Sequence, residues 1–195
     1  PRTELDQKVF HLLAHIVESE KYNHKYYTHD DSMTHLLIDF IVLEKLVEEF
    51  LPEVSKHIKV HSTTNPIMTY VGAKWFIPIF IDCLPPDVLV TVWDMYIRHG
   101  IVTLFWVALM VFNECQAEIL GLADVEIMTA ISRGTKKMTK GSITGPFMED
   151  VRERVTLTSI KELREIVRKE QFGMLRPTSH LRHCDVFNLD GCSLM

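Results

Sequence analysis

Excess positive charge, closely spaced cysteines and long apolar runs are all missing from this sequence of 195 residues. The formal net charge is −5, so the chain offers no basic field for a nucleic acid, and no nucleic acid partner is expected. Cys83, Cys115, Cys184 and Cys192 form neither a CxxC pair nor a disulfide framework, which favours a reducing, cytoplasmic setting. The most apolar run, residues 101–112, is shorter than the roughly 18 to 20 residues that span a bilayer, so no transmembrane segment is predicted.

Sequence motifs of catalysis and cofactor binding are missing as well. There is no phosphate-binding loop, nucleophile elbow or dinucleotide-binding glycine pattern, so no cofactor is expected. His11 and His15 have the spacing of a zinc-protease helix, but Leu12 stands where that helix needs a glutamate. The His and Cys residues at 180–184 have no matching second pair of ligands. No metal site is therefore predicted.

Apolar residues recur at three- and four-residue spacing along most of the chain, which predicts an all-α fold. The first helix is expected over residues 4–19, with one apolar stripe and one polar face. A second helical region starts near Ser32 and is interrupted or restarted at Pro52. The next helix is expected to begin at Pro66 and to be kinked at Pro78, because an interior proline removes a backbone hydrogen bond.

The stretch CLPPDVLVTVWDMYIRHG reads as one helix with both ends marked. The proline pair at 85–86 starts it, and Gly100 is expected to end it in the left-handed conformation. Trp93 falls in its apolar stripe and Asp94 on its flank, where Asp94 can pair with Arg98 for about 0.2 to 0.5 kcal/mol. A catalytic carboxylate needs a second acid or base within reach, and none is nearby in sequence, so Asp94 is interpreted as architectural.

The second half of the chain continues the helical pattern less regularly. An apolar helix is expected over residues 101–113, a weaker helix over 123–133, and a loop over 135–147, which is rich in Gly, Thr and Lys. A final helix is expected over residues 159–172, after Thr156 or Thr158. The remaining residues form a polar tail. No repeat of fixed period is present, although an α-solenoid remains an alternative for an all-helical chain.

The last four residues, Cys192-Ser-Leu-Met195, have the C-a-a-X form with a farnesyl-type methionine. Cys192 is therefore a predicted lipidation site, which would give peripheral membrane association, and Arg176, Arg182 and Cys184 could add the second signal that one lipid needs. The alternative is that Met195 is merely where a longer chain was cut. The first residue, Pro1, likewise indicates a processed, truncated or engineered start.

Several short motifs follow one another in a fixed order. They are YY at 26–27, VLE at 42–44, LP at 51–52, KWF at 74–76, LP at 84–85, WD at 93–94, Gly100, and LF followed by AL within 104–109. By order and spacing the chain resembles the C-terminal half of the TBC domain of Rab GTPase-activating proteins, well over about residues 5–125 and loosely over 126–172. The resemblance implies an all-α fold in which residues 1–172 form the C-terminal lobe of the domain and 173–195 a tail.

The resemblance also implies a Rab-family small GTPase as partner. In that family an arginine and a glutamine enter the GTPase site, where they neutralise phosphoryl charge and orient the attacking water. Both belong to the N-terminal half of the domain, in motifs written IxxDxxR and YxQ, and neither motif is present here. The nearest approach runs from Ile127 to Arg133 and has Ala130 where the aspartate belongs. No catalytic role is therefore carried onto any residue.

What carries over is a structural framework, namely Trp75, Trp93, Asp94 and Gly100. The expected function is support for the catalytic N-terminal lobe of the parent protein and part of the GTPase-binding surface, with this chain inactive alone. The expected location is cytoplasmic or peripheral to endomembranes. A non-catalytic TBC-like or α-solenoid adaptor is the alternative, and a metal-dependent enzyme a distant third.

Overall fold

The structure is a computed structural model that describes residues 2–22, 26–27, 32–61 and 67–172. These ranges contain nine α-helices, one 3₁₀ turn at Glu20–Tyr22 and no strand, so the all-α prediction is confirmed. The helices are α1 (Arg2–Glu18), α2 (Ser32–Phe50), α3 (Pro52–His61), α4 (Ile67–Phe76), α5 (Pro86–His99), α6 (Val102–Ile119), α7 (Val125–Lys137), α8 (Pro146–Arg154) and α9 (Leu157–Phe172).

Helix α6 is the centre of the core. Every residue from Val102 to Phe112 is buried, and α2, α3, α4, α5, α7 and α8 all pack against this helix. Its 18 residues exceed the predicted 101–113, because the helix continues through the more polar residues up to Ile119. By length and hydropathy α6 is the one helix within the described ranges that could cross a membrane, yet 72% of it is buried by its neighbours, as in a core helix.

Helix α4 ends at Phe76, so the predicted kink at Pro78 is wrong. Proline cannot continue the α4 hydrogen-bond pattern, and the chain instead turns through residues 77–84 before α5 begins. Pro52 does restart a helix, as predicted, since it is the first residue of α3. The predicted helix start at Pro66 lies outside the described residues.

The sequence pattern does not predict helix α8, whose first two residues, Pro146 and Phe147, lie in the predicted loop over 135–147. It begins at Pro146, a position where the missing N–H costs no hydrogen bond, and it buries Met148 and Val151. Helix α9 begins just after Thr156, whose backbone N–H donates to Ser159 Oγ at 2.8 Å while the Ser159 N–H donates to Thr156 Oγ1 at 3.1 Å. This reciprocal pair satisfies two N–H groups at the start of the helix.

A buried ion pair fastens α9 to α2. Asp39 of α2 has no exposed surface, and it accepts hydrogen bonds from Arg164 Nε and Nη2, both at 2.6 Å, and from the Tyr26 hydroxyl. Burial would lower the pKa of the Arg164 guanidinium, but its charge interaction and hydrogen bonds with Asp39 and Tyr26 outweigh burial and raise it. The pair holds the last described helix against one near the start of the chain.

Candidate functional site: the α5 framework and the exposed face of α1

Helix α5 ends at a glycine that no other residue could replace without strain. Gly100 has φ 76° and ψ −151°, a conformation that is essentially open only to glycine. Its φ is positive, as the sequence predicts, but its ψ is not that of the left-handed helix. A Cβ here would collide with the carbonyl oxygen of Lys21, which accepts the Ile101 N–H at 3.0 Å. Gly100 thus allows the chain to pass directly against the 3₁₀ turn.

The two framework tryptophans differ in burial. Trp75 is 2% exposed, stacks on Phe80 with 5.5 Å between ring centroids, and meets Phe112 edge-on at 5.7 Å. Trp93 is only partly buried, and its Nε1–H donates to the Ile79 carbonyl at 3.2 Å. Trp75 therefore belongs to the core, whereas Trp93 fixes the turn between α4 and α5 to the flank of α5.

Asp94 is exposed, and within the described part of the chain it forms no ion pair with Arg98. The predicted pairing of these two residues is therefore wrong. An exposed pair at this spacing gains only about 0.2 to 0.5 kcal/mol, which does not offset the ordering of two side chains. Among the described residues no acid or base pairs with Asp94, so these residues give it no partner for proton transfer.

The turn at residues 77–84 is strained. Ile79, Phe80 and Asp82 have φ values of 52°, 60° and 62°, and such a conformation costs roughly 1 to 3 kcal/mol for a residue other than glycine. Surrounding contacts compensate, because Phe80 is completely buried and its N–H donates to the Trp75 carbonyl at 2.8 Å. The turn holds Ile77 and Ile81 at the surface, 45% and 42% exposed. Nothing in the local sequence except Pro78 indicated this feature.

The apolar stripe of α1 has no cover within the described residues. Five of its large apolar side chains are between 39% and 67% exposed, namely Leu5, Val9, Phe10, Leu12 and Leu13. Only Ile16, near the end of the helix that meets the 3₁₀ turn, is buried. The sequence predicts the stripe correctly as a pattern, but the pattern alone does not say that its partner is missing. A contiguous apolar face of this kind marks an interaction surface.

Arg133, which ends the stretch most similar to the arginine-finger motif, pairs with a carboxylate. Arg133 of α7 is exposed and forms an ion pair with Glu118 of α6. It also lines an open groove of about 320 Å³ beside Tyr70 and Val125. Ala130, at the aspartate position of the family motif, is buried. The residues that line the groove do not form a reactive set of side chains.

Metal ligands and nucleophiles do not converge either. The part of the chain that the structure describes contains no group of three or more His, Cys, Asp or Glu residues able to hold a metal ion. His57 and His61 stack with ring centroids 4.3 Å apart, but His57 Nε2 is 2.7 Å from the Leu122 carbonyl and is occupied there. Cys83 and Cys115 are buried free thiols, and burial raises the pKa of Cys115 to about 11, which makes it a poor nucleophile. The residues at 180–184 and Cys192 lie outside the described residues.

Comparison with known proteins identifies one family. The Rab-GTPase-TBC domain family matches this chain over residues 3–120. Growth hormone-regulated TBC protein 1 of Xenopus laevis is 34% identical over 140 residues, which are 69% of this chain and 39% of that protein. TBC1 domain family member 2A is 31% identical over 121 residues in Mus musculus, 62% of this chain and 12% of that protein. The Homo sapiens protein is 26% identical over 180 residues, 92% of this chain and 19% of that protein.

The chain therefore spans well under half the length of the curated relatives it matches. No solved structure matches it.

Proposed function

Because this chain belongs to the Rab-GTPase-TBC domain family, we propose that it is the C-terminal part of a GTPase-activating protein for Rab-family GTPases. In this proposal the chain supports a catalytic N-terminal lobe and forms one edge of the GTPase-binding surface. It supplies neither the arginine nor the glutamine finger, since both family motifs are absent from its sequence. It is therefore expected to be inactive alone.

The exposed face of α1 is the observation that carries the proposal. Its side chains at positions 5, 9, 12 and 13 follow the spacing of one helix face. Fully burying one side chain of this size stabilises by roughly 1.5 to 3 kcal/mol, so covering such a face would stabilise association by several kcal/mol. A surface that large and apolar fits a permanent interface with another lobe better than a transient contact.

Mixing this chain with a separately expressed N-terminal lobe tests this role. The part of Xenopus laevis Growth hormone-regulated TBC protein 1 that precedes its matched region supplies an N-terminal lobe, expressed separately and mixed with this chain. We expect the two pieces to associate, and GTP hydrolysis by at least one member of a Rab panel to rise only when both are present.

Two matched substitutions separate the α1 face from general surface change. Val9→Glu places a charge on the exposed α1 face, whereas Val60→Glu places the same charge on α3, and the two valines are 58% and 60% exposed. Val9→Glu should weaken association with the N-terminal lobe at least about tenfold, and Val60→Glu should leave it unchanged. Stimulation of GTP hydrolysis by this chain alone, or equal effects of the two variants, would overturn the proposal.

A non-catalytic TBC-like adaptor is the second candidate, favoured by the absence of both finger motifs from the chain. In that case the lobe that covers α1 would lack them too. The sequence that precedes Pro1 in the parent decides the matter: IxxDxxR and YxQ motifs there support the activator, and their absence supports the adaptor.

We also propose that Cys192 is prenylated in a parent protein that ends at Met195, and that the protein acts in the cytoplasm at endomembrane surfaces. The support is the C-a-a-X pattern of the last four residues. Mass spectrometry of the parent protein from eukaryotic cells should find an isoprenoid on Cys192 and loss of the three residues after it. An unmodified Cys192 followed by intact Ser-Leu-Met would contradict this.

A further inference from the structure

Three cationic side chains and the His99 imidazole lie around the C-terminal end of α5. Lys21 lies on the 3₁₀ turn, Arg98 and His99 form the last turn of α5, and Arg152 lies on α8. We call these four residues the cation cluster. They come from three separate elements, so their proximity is a property of the fold and is not visible as a run of basic residues in the sequence.

One buried indole positions two members of the cluster. The ring of Trp106, 5% exposed, lies 5.2 Å from the His99 ring between centroids, and the Arg152 guanidinium carbon lies 5.3 Å from its centroid. The indole is itself fixed, because its Nε1–H donates to the Val155 carbonyl at 2.7 Å. Both side chains therefore pack against a rigid surface and lose little conformational freedom when a ligand binds.

Lys21 is held in place by the backbone of α5. Lys21 Nζ donates to the carbonyl oxygen of Ile97 at 2.7 Å, which holds the ammonium beside the last turn of the helix. The hydroxyl of Tyr22 donates to the same oxygen at 2.9 Å. Arg98 projects from that turn and is exposed, so it remains available to a ligand.

Among the described residues, no carboxylate forms an ion pair with the cations of the cluster. Within the described ranges none of its four members forms an ion pair, although arginines elsewhere pair with carboxylates, as Arg154 does with Glu49. Burial lowers the pKa of His99, and the charges of Arg152, Arg98 and Lys21 lower it further, so the imidazole is neutral at pH 7 and serves as a hydrogen-bonding group. A cluster of this kind is unusual on a chain whose net charge is −5.

We propose that the cation cluster of Lys21, Arg98, His99 and Arg152 is a binding site for a phosphomonoester group. A phosphomonoester carries about −1.5 to −2 charges and three acceptor oxygens at neutral pH, whereas a carboxylate carries one charge and two oxygens. Two guanidinium groups can each donate in pairs to phosphate oxygens, with the ammonium as a point charge beside them. The donors and the charge of the cluster therefore match a phosphomonoester better than a single carboxylate.

Binding measurements on the full chain test the site and its source of phosphate. Inositol trisphosphate is titrated by calorimetry, and phosphatidylcholine vesicles with and without phosphatidylinositol bisphosphate are used in co-sedimentation. Binding of the soluble probe supports a free phosphate ligand. Binding only to the phosphoinositide vesicles supports a lipid headgroup. Binding of neither probe overturns the proposal.

A pair of double variants with equal charge loss supplies the control. Arg98→Gln/Arg152→Gln removes two cluster cations, and Lys161→Gln/Lys169→Gln removes two exposed cations from α9. The cluster variant should bind whichever probe is active at least about tenfold more weakly, while the α9 variant should lose less than about threefold, because it changes only the overall field. Equal losses in both variants would show non-specific attraction and overturn the site. Circular dichroism confirms that each variant is folded.

Discussion

Removing the arginine of the buried ion pair should strongly lower the free energy of unfolding of this protein. Arg164→Met keeps most of the side-chain volume but leaves Asp39, which has no exposed surface, without its cation. Only the Tyr26 hydroxyl remains as a donor to Asp39 in the interactions described above. Breaking a buried pair by removing one partner costs about 3 to 5 kcal/mol. For a chain of this length that is a fall in Tm of about 6 to 20 °C.

The same helix provides the matched control. Arg168, one turn after Arg164, pairs with Glu165 at 2.7 Å, and both side chains are about half exposed. Arg168→Met should therefore cost no more than about 1 kcal/mol. The double variant Asp39→Leu/Arg164→Met should recover most of the stability lost by Arg164→Met, since apolar replacement of both partners removes the unpaired charge. Urea unfolding of all three variants measures this, and a cost below about 1 kcal/mol for Arg164→Met would refute the reasoning.

Three further predictions concern Gly134, Gly100 and Cys115. Gly134→Ala should destabilise the protein by about 2 kcal/mol or more, because a Cβ there would collide with Cys115 Sγ. Adding Cys115→Ala should restore much of the lost stability, as measured by urea unfolding. Equal stabilities of the single and double variants would contradict this. Gly100→Ala should cost about 2 kcal/mol or more for its positive φ and the collision with Lys21, and an unchanged Tm would contradict it. With Cys83, Cys184 and Cys192 replaced by serine, Cys115 is the one remaining thiol. It should react with Ellman's reagent about a hundredfold more slowly than in urea, since burial raises its pKa to about 11. Equal rates in the two conditions would contradict this.

Local sequence signals predicted the helical class and the ends of α5. The proline pair and Gly100 mark helix ends by backbone chemistry that involves no distant residue, so they are visible in the sequence. The same applies to Pro52 at the start of α3. Periodicity likewise located the α1 stripe and α9, with boundaries within two residues for α9.

Features determined by distant contacts were not visible. The turn at 77–84 adopts positive φ values while Phe80 is fully buried and the Trp93 indole, from the next helix, donates to the Ile79 carbonyl; these tertiary contacts override local preference. The sequence pattern does not predict helix α8, which starts at the end of the predicted loop, but burial of Met148 and Val151 stabilises it. The prediction of an Asp94–Arg98 ion pair was wrong because it relied on local spacing alone. That spacing permits an exposed ion pair but does not make it favourable.

The site itself was predictable only in part. A lone aspartate inside the apolar run LLIDFIVL signals a buried partner, but that partner, Arg164, lies 125 residues away along the chain. The cation cluster draws on three elements and leaves no pattern in the sequence. The exposed α1 face was visible as a stripe, yet whether a stripe is covered depends on what packs against it.

The contacts beyond residue 120, where the match to the family ends, show why the later helices are needed for the fold. Helix α7 approaches α6 closely at Gly134, and the Trp106 indole donates to the Val155 carbonyl. Without residues 121–172, the buried faces of α6 would be exposed and Asp39 would lose the guanidinium that neutralises it. The later helices therefore complete the burial of the same core, and they also supply Arg152, so both the stability of the domain and the proposed phosphate site depend on a segment outside the family match.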